Sequence, residues 1–223
     1  MIAVIKKSPV VIHQLFFLIA QLMILQMNGI GYSGTLAYVG AVSTFLAVLI
    51  NLRWDIEIMV NNHQTLHESL FDSSITIILM TFIVLFFNTI IGSPLPTYII
   101  LSAIIIAIHE LLVSILFVQK KIYIYSFFRT IPAIALILFA LVNLEAEIIW
   151  PASFFISVLF LSIYYRTLFR KAISGINISR IKKIKFLHKF NAAITATTFS
   201  FFSAFFVIVI NFYHGSDYVG LWS

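Results

Sequence analysis

One carboxylate in this chain stands where water is scarce. Glu110, next to His109, interrupts an apolar stretch that carries no charge from Ser73 to His109 and none again until Lys120. An ionised acid in hydrocarbon costs on the order of several kcal/mol unless it faces a cavity, finds a partner or takes a proton. Such an acid suits coupling of a proton or sodium ion to transport, with His109 able to share the proton. The structural alternative is a protonated Glu110 bonded to a neighbouring helix. Arg129 is a second, separate candidate, two helical turns inside an apolar run and about 12 Å beyond Lys121 at about 1.5 Å per residue. Three residues later Pro132 removes a backbone donor and frees the carbonyl of Phe128. A guanidinium beside a weakened helical turn suits a water-filled cavity that binds an anionic group, because its planar fork pairs bidentately with phosphate. Snorkelling towards headgroups is the alternative over that distance.

Other candidates are weaker. His63 and His67 are four apart and followed by Glu68, a spacing that can set two imidazoles on one helix face for a metal. The zinc-protease order requires Glu directly after the first His, and Gln64 stands there instead. The segment from Asn61 to Asp72 reads as a polar, solvated connector, so no metal site is expected. Cys is absent, which excludes disulfides, thiolate metal sites and thiol catalysis. No cofactor is expected. His13, alone near one end of the first apolar run, reads as a satisfied polar residue.

The elements that must position these residues are membrane spans. Of 223 residues, 61% are hydrophobic and 10% charged, with a mean hydropathy of +1.07. Soluble domains have about 25% charged residues, so a soluble enzyme, a disordered tail and a nucleic-acid-binding domain are all excluded. The fold class expected is all-α: a polytopic membrane protein of about seven transmembrane helices. The spans fall at about 9–27, 35–52, 73–91, 97–118, 122–144, 148–165 and 191–212. Chain reversals are assigned to the glycine-rich segment Asn28 to Gly34 and to Gly92-Ser93-Pro94-Leu95-Pro96. Transmembrane strands would alternate polar and apolar residues, and these runs do not.

Charge orients the spans. All 14 Lys and Arg residues fall before span 1 or in the connections and span entries between spans 2 and 3, 4 and 5, and 6 and 7. Short basic loops stay cytoplasmic, so the N-terminus is expected in the cytoplasm and the end of span 7 outside. Net charge is +6 and the pI about 9.6, yet the cations bracket apolar runs, which is a topology signal and no nucleic-acid patch. Eight of them lie between Arg166 and Lys189, where Ile178, Ile181 and Ile184 recur at helical spacing. That loop is read as a topology anchor; a sensor lying on anionic membrane lipids is the sharper alternative.

After the second apolar run the chain reads Ile50-Asn51-Leu52-Arg53-Trp54-Asp55-Ile56-Glu57-Ile58. This resembles the Leu-Arg-Tyr-Glu/Asp-x-Ala-Ile motif of bacterial polysaccharide and O-antigen flippases, a family of the multidrug, oligosaccharidyl-lipid and polysaccharide exporter superfamily. Phe117 to Tyr123 and Ser126-Phe127-Phe128-Arg129 look like its basic loop and the start of its fifth helix. Lys185 to Phe190 and Asp217-Tyr218-Val219-Gly220-Leu221-Trp222-Ser223 are similar to its approach to helix 7 and its Val-Gly-Leu-Tyr-Ser turn. The resemblance implies export of an undecaprenyl-pyrophosphate-linked oligosaccharide across the bacterial inner membrane by alternating access of two six-helix lobes. Within this reading Arg129 and Arg53 are the candidate substrate-binding residues, and Glu110 and His109 the candidates for ion coupling. The family's charged Thr-Arg-x-x-x-Pro-Glu stretch between helices 1 and 2 has no counterpart in Asn28 to Gly34.

On this reading residues 1–165 form a six-helix lobe and 166–190 a basic cytoplasmic loop. Residues 191–223 are the seventh helix and outer tail, the beginning of a second lobe in a partial chain. The partners implied are a lipid-linked oligosaccharide, membrane lipids and other polysaccharide assembly proteins, with no nucleic acid and no enzymatic reaction. The alternatives are a permease subunit of an ATP-driven exporter, a membrane-embedded polymerase or transferase of the same pathway, and a non-transporting interaction protein.

Overall fold

The computed structural model describes the backbone of residues 2–52, 54–60, 66–91, 95–168, 170, 204–217 and 219. Regular structure among the described residues is helical throughout. The elements are α1 (Ile2–Asn28), α2 (Ile30–Asn51), α3 (Trp54–Val60), α4 (Leu66–Ile90), α5 (Thr97–Val118), α6 (Ile122–Leu141), α7 (Ala146–Tyr164) and α8 (Ala204–His214). Five of them, α2 and α4 to α7, are long and apolar enough to cross a membrane, and the chain is a multi-pass helical membrane protein. They correspond to the expected spans 2 to 6. The apolar stretches of α1 (Ile12–Asn28) and α8 are shorter. Residues 191–203 of the expected seventh span, most of the basic loop, His63 and Arg53 lie outside the described residues.

The helix that is apolar on every side takes the centre, as burial requires. α5 packs against α2, α3, α4, α6 and α7, and Ile99, Leu111, Leu112, Ile115 and Leu116 are fully buried. Its seam with α2 is close because Ser33, Gly40, Ser43 and Ala47 lie on the buried side of α2. In lipid, small residues let helix backbones approach and their hydroxyls bond across the gap. Ser43 Oγ donates to the carbonyl of Ile99 at 3.3 Å. Gly40 serves a third helix: a methyl group there would stand 2.9 Å from a ring carbon of Trp150 on α7. α4 is the peripheral span, with Phe82, Phe86 and Ile90 more than three-fifths exposed, surface that lipid tails accept.

Two expected connections turn out differently. The reversal between the first two long helices is one residue, Gly29, at φ 85°, and Gly31 and Gly34 lie inside α2. They are glycines for closeness, not for turning: Gly34 is buried, and the carboxylate of Asp217 covers Gly31. The polar segment before span 3 is also less solvated than expected. α4 begins at Leu66, and Ser69, Leu70 and Asp72 are buried. Against this part of α4 packs α3, a short helix not expected from the sequence, whose Trp54 is buried and donates from Nε1 to Thr76 Oγ1 at 3.0 Å.

The two ends of the bundle are tied differently. At one end Asn28 Nδ2 donates to Asn143 Oδ1 at 3.3 Å and the Tyr32 hydroxyl to the carbonyl of Leu144 at 2.5 Å, which joins the α1–α2 turn to the α6–α7 turn. Asp217, just beyond α8, sits at the same end over Gly31. At the opposite end the α5–α6 turn passes through Lys120 at φ 58°, and Lys121 Nζ donates to the Tyr164 hydroxyl at 2.7 Å.

Candidate functional site

The α5–α6 turn brings the two intramembrane charges to one depth. From Lys120 and Lys121, Glu110 lies back along α5 and Arg129 forward along α6, each within about 16 Å of the turn at about 1.5 Å per residue. The structure pairs them: Arg129 Nη2 donates to Glu110 Oε2. Snorkelling is therefore not what Arg129 does, and Glu110 has its neighbouring-helix partner in a cation. A paired acid and base avoid leaving either charge alone at hydrocarbon depth. Their side chains stay 23% and 30% exposed, and that exposure is to a cavity.

The cavity has a volume of about 340 Å³, within the range of about 300–1,000 Å³ typical of small-molecule sites. α5 supplies His109 and Glu110 and α6 supplies Arg129. α1 contributes His13, Gln14, Phe17, Leu18 and Gln21, and α7 contributes Phe154. The guanidinium lies over the Tyr125 ring, 5.3 Å from its centre, which holds it by cation–π attraction. The His109 ring meets Phe154 edge-on at 5.2 Å, and Phe17 stacks on Phe154 at 6.3 Å. The wall is thus aromatic on one side and ionic on the other.

His109 is buried and in contact with three polar groups. Nδ1 is 3.6 Å from Glu110 Oε1, and Nε2 is 3.1 Å from Ser157 Oγ and 3.4 Å from the carbonyl of Phe128. That carbonyl is the one Pro132 frees, and Ser157 Oγ also donates to it at 3.0 Å. Three of the residues singled out from the sequence, His109, Glu110 and Arg129, therefore form one cluster, and His13 lines the same cavity. Arg53, between α2 and α3, lies outside the described residues, as do His63 and the side chain of His67. Among the described residues no group of three or more His, Cys, Asp or Glu is placed to hold a metal ion.

Sequence reasoning missed Gln14, Gln21 and Ser157. The two glutamines are two helical turns apart, a spacing that puts them on one face of α1 and marks that face as one lipid does not cover. Ser153 and Ser157, four apart on α7, carry the small-residue signal of a helix seam. In chemical terms the site offers one exchangeable ion pair, amide and imidazole hydrogen-bonding groups, and aromatic walls. No family model matches the sequence, and neither a curated protein nor a solved structure matches it.

Proposed function

We propose that the chain forms the six-helix lobe, with a seventh helix, of a bacterial inner-membrane exporter of lipid-linked oligosaccharide for surface polysaccharide, with its N-terminus in the cytoplasm. The observation that carries this reading is the Glu110–Arg129 pair in the wall of a cavity at mid-span. It joins two roles read separately from the sequence. Glu110 takes Nη2 of Arg129 and its negative charge opposes a diphosphate there, and a proton on Glu110 removes that competitor. Anion binding at Arg129 and proton binding at Glu110 therefore favour each other, and such linkage is reciprocal. A volume of about 340 Å³ suits the diphosphate or a single sugar ring; the rest of the glycan needs the space between two lobes.

The test is binding of a short-chain polyprenyl diphosphate to the protein in lipid nanodiscs across a pH series. Affinity is expected to rise as pH falls, because protonation of the carboxylate releases the guanidinium, with at most about a tenfold change per pH unit for one linked proton. Glu110→Gln is expected to bind tightly with this dependence gone. Arg129→Ala is expected to lose about 10- to 100-fold, the worth of a charge-assisted contact. Equal binding by all three proteins would remove the anion-site reading.

Orientation is checked apart from chemistry. Reporter fusions are expected to place the connections around Asn61, Lys120 and Ile178 in the cytoplasm and those at Ser93, Ala146 and Ser216 outside. A periplasmic signal from within Arg166 to Lys189 would reverse the whole assignment.

A further inference from the structure

Pro132 leaves the carbonyl of Phe128 without its in-helix donor, and a buried carbonyl without a donor is costly. Two neighbouring helices supply replacements. Ser157 Oγ on α7 donates to it at 3.0 Å, and His109 Nε2 on α5 lies 3.4 Å from it and 3.1 Å from Ser157 Oγ. A hydroxyl has a single proton. With that proton given to Phe128, Ser157 has only lone pairs to offer His109, so Nε2 must carry the ring hydrogen. The other nitrogen, Nδ1, is buried without a hydrogen-bond partner and stands 3.6 Å from Glu110 Oε1. In this tautomer Nδ1 presents a lone pair to a carboxylate oxygen, and it is the ring atom that takes the next proton.

We propose that Ser157 is a positioning residue that fixes His109 in its Nε2–H tautomer, presents Nδ1 to the ionic cavity and so joins proton uptake beside Glu110 to the turn of α6 that Pro132 interrupts. The imidazole is rigid, and its two nitrogens face opposite tasks. A proton on Nδ1 turns the 3.6 Å approach to Oε1 into a charge-assisted hydrogen bond, which prefers about 2.7–2.9 Å. Closing that gap draws Nε2 away from Ser157 and Phe128, and the turn around Pro132 loses part of its support. The same step competes with Arg129 for Glu110. The charged and titratable groups facing this ring are Glu110 on its own helix, Arg129 on α6 and His13 on α1, while α7 presents Phe154 and Ser157. His109 thus senses the ion pair on one side and holds a hinge on the other. The inference concerns the bundle itself and is independent of which solute, if any, the cavity takes.

The experiment uses the full chain in nanodiscs with nitrogen-15 histidine, the His109 signal being assigned by its loss in His109→Gln. Nuclear magnetic resonance reads the tautomer. Hydrogen exchange of residues 126–136, corrected for the intrinsic pH dependence of amide exchange, reads the hinge. The wild type is expected to show a neutral Nε2–H ring at high pH and at least about tenfold faster α6 exchange once the ring is protonated, the behaviour of a local opening. Ser157→Ala is expected to mix the tautomers and to exchange fast across the whole range, with no pH step. Ser157→Thr keeps the hydroxyl and is expected to restore both readings. A wild-type tautomer and pH step in Ser157→Ala would overturn the proposal. Glu110→Gln covers the case in which Ser157→Ala fails to insert: the tautomer should persist while the step weakens at least about threefold, and an undiminished step would equally overturn it.

Discussion

On the proposed function, Arg129→Ala is expected to abolish export in an intact transporter that contains this sequence, and Arg129→Lys to recover little of it. That is the largest effect the site predicts. Lys supplies a point charge without the planar fork, and it cannot hold a diphosphate bidentately. The ion pair adds a second consequence that separates function from folding. Removing one partner of a buried pair costs roughly 3–5 kcal/mol because the other is left uncompensated; with side chains 23% and 30% exposed, the lower end applies. The double variant Glu110→Ala/Arg129→Ala removes both charges, so its thermal stability in detergent should return to within about 1 kcal/mol of the wild type while export stays absent. Export by Arg129→Ala at matched protein level would leave the pair a structural role alone. A double variant no more stable than the single one would mean that the two charges do not interact.

Gly40→Leu is expected to be the most damaging substitution away from the cavity. A methyl group at this position already stands 2.9 Å from the Trp150 ring, inside the closest approach that carbon atoms tolerate, and three further carbons have nowhere to go between α2, α5 and α7. Overpacking of a filled core costs typically about 1–3 kcal/mol, and here the ring is itself braced by Phe17 at 6.4 Å and Phe154 at 5.6 Å. Failure to accumulate in the membrane is the expected readout, with Gly40→Ala intermediate. Adding Trp150→Ala should rescue Gly40→Leu because it opens the volume the leucine needs. Rescue of Gly40→Leu by an unrelated stabilising change but not by Trp150→Ala would show that the contact is not the cause.

How much of this was legible before the fold was known depended on whether the signal is one-dimensional. Apolar run length is, and it places α2, α4, α5, α6 and α7. Depth is too: counting from Lys120 and Lys121 puts Glu110 and Arg129 at the same level on consecutive helices. Rotation about the helix axis is not, because α5 is apolar on every side and offers no polar face to say where residue 110 points. The pairing therefore had to be seen. Glycine is ambiguous for a similar reason. The string Gly29, Ile30, Gly31 reads as a loop when glycine is taken as a breaker, yet only Gly29 has a positive φ, and Gly31 gives room to Asp217, a residue far away in sequence. The Phe128 carbonyl shows the opposite case. Pro132 announces from sequence alone that an acceptor is freed, whereas its new donor comes from Ser157, which no local pattern connects to it.

The contacts among Asn28, Asn143, Tyr32 and Leu144 tie one end of α1 and would make that end the fulcrum for any tilt of the helix. His13 lies about 22 Å from Asn28 along the helix at about 1.5 Å per residue, so a swing of only about 10° moves it by about 4 Å. Gln21, nearer the fulcrum, moves about half as far. Any opening of the cavity through α1 is consequently wedge-shaped: it widens from the tied end towards His13, and it parts α1 from Glu110 and Arg129 without separating those two from each other. Strengthening or cutting those contacts changes how freely that wedge opens while leaving every cavity side chain in place.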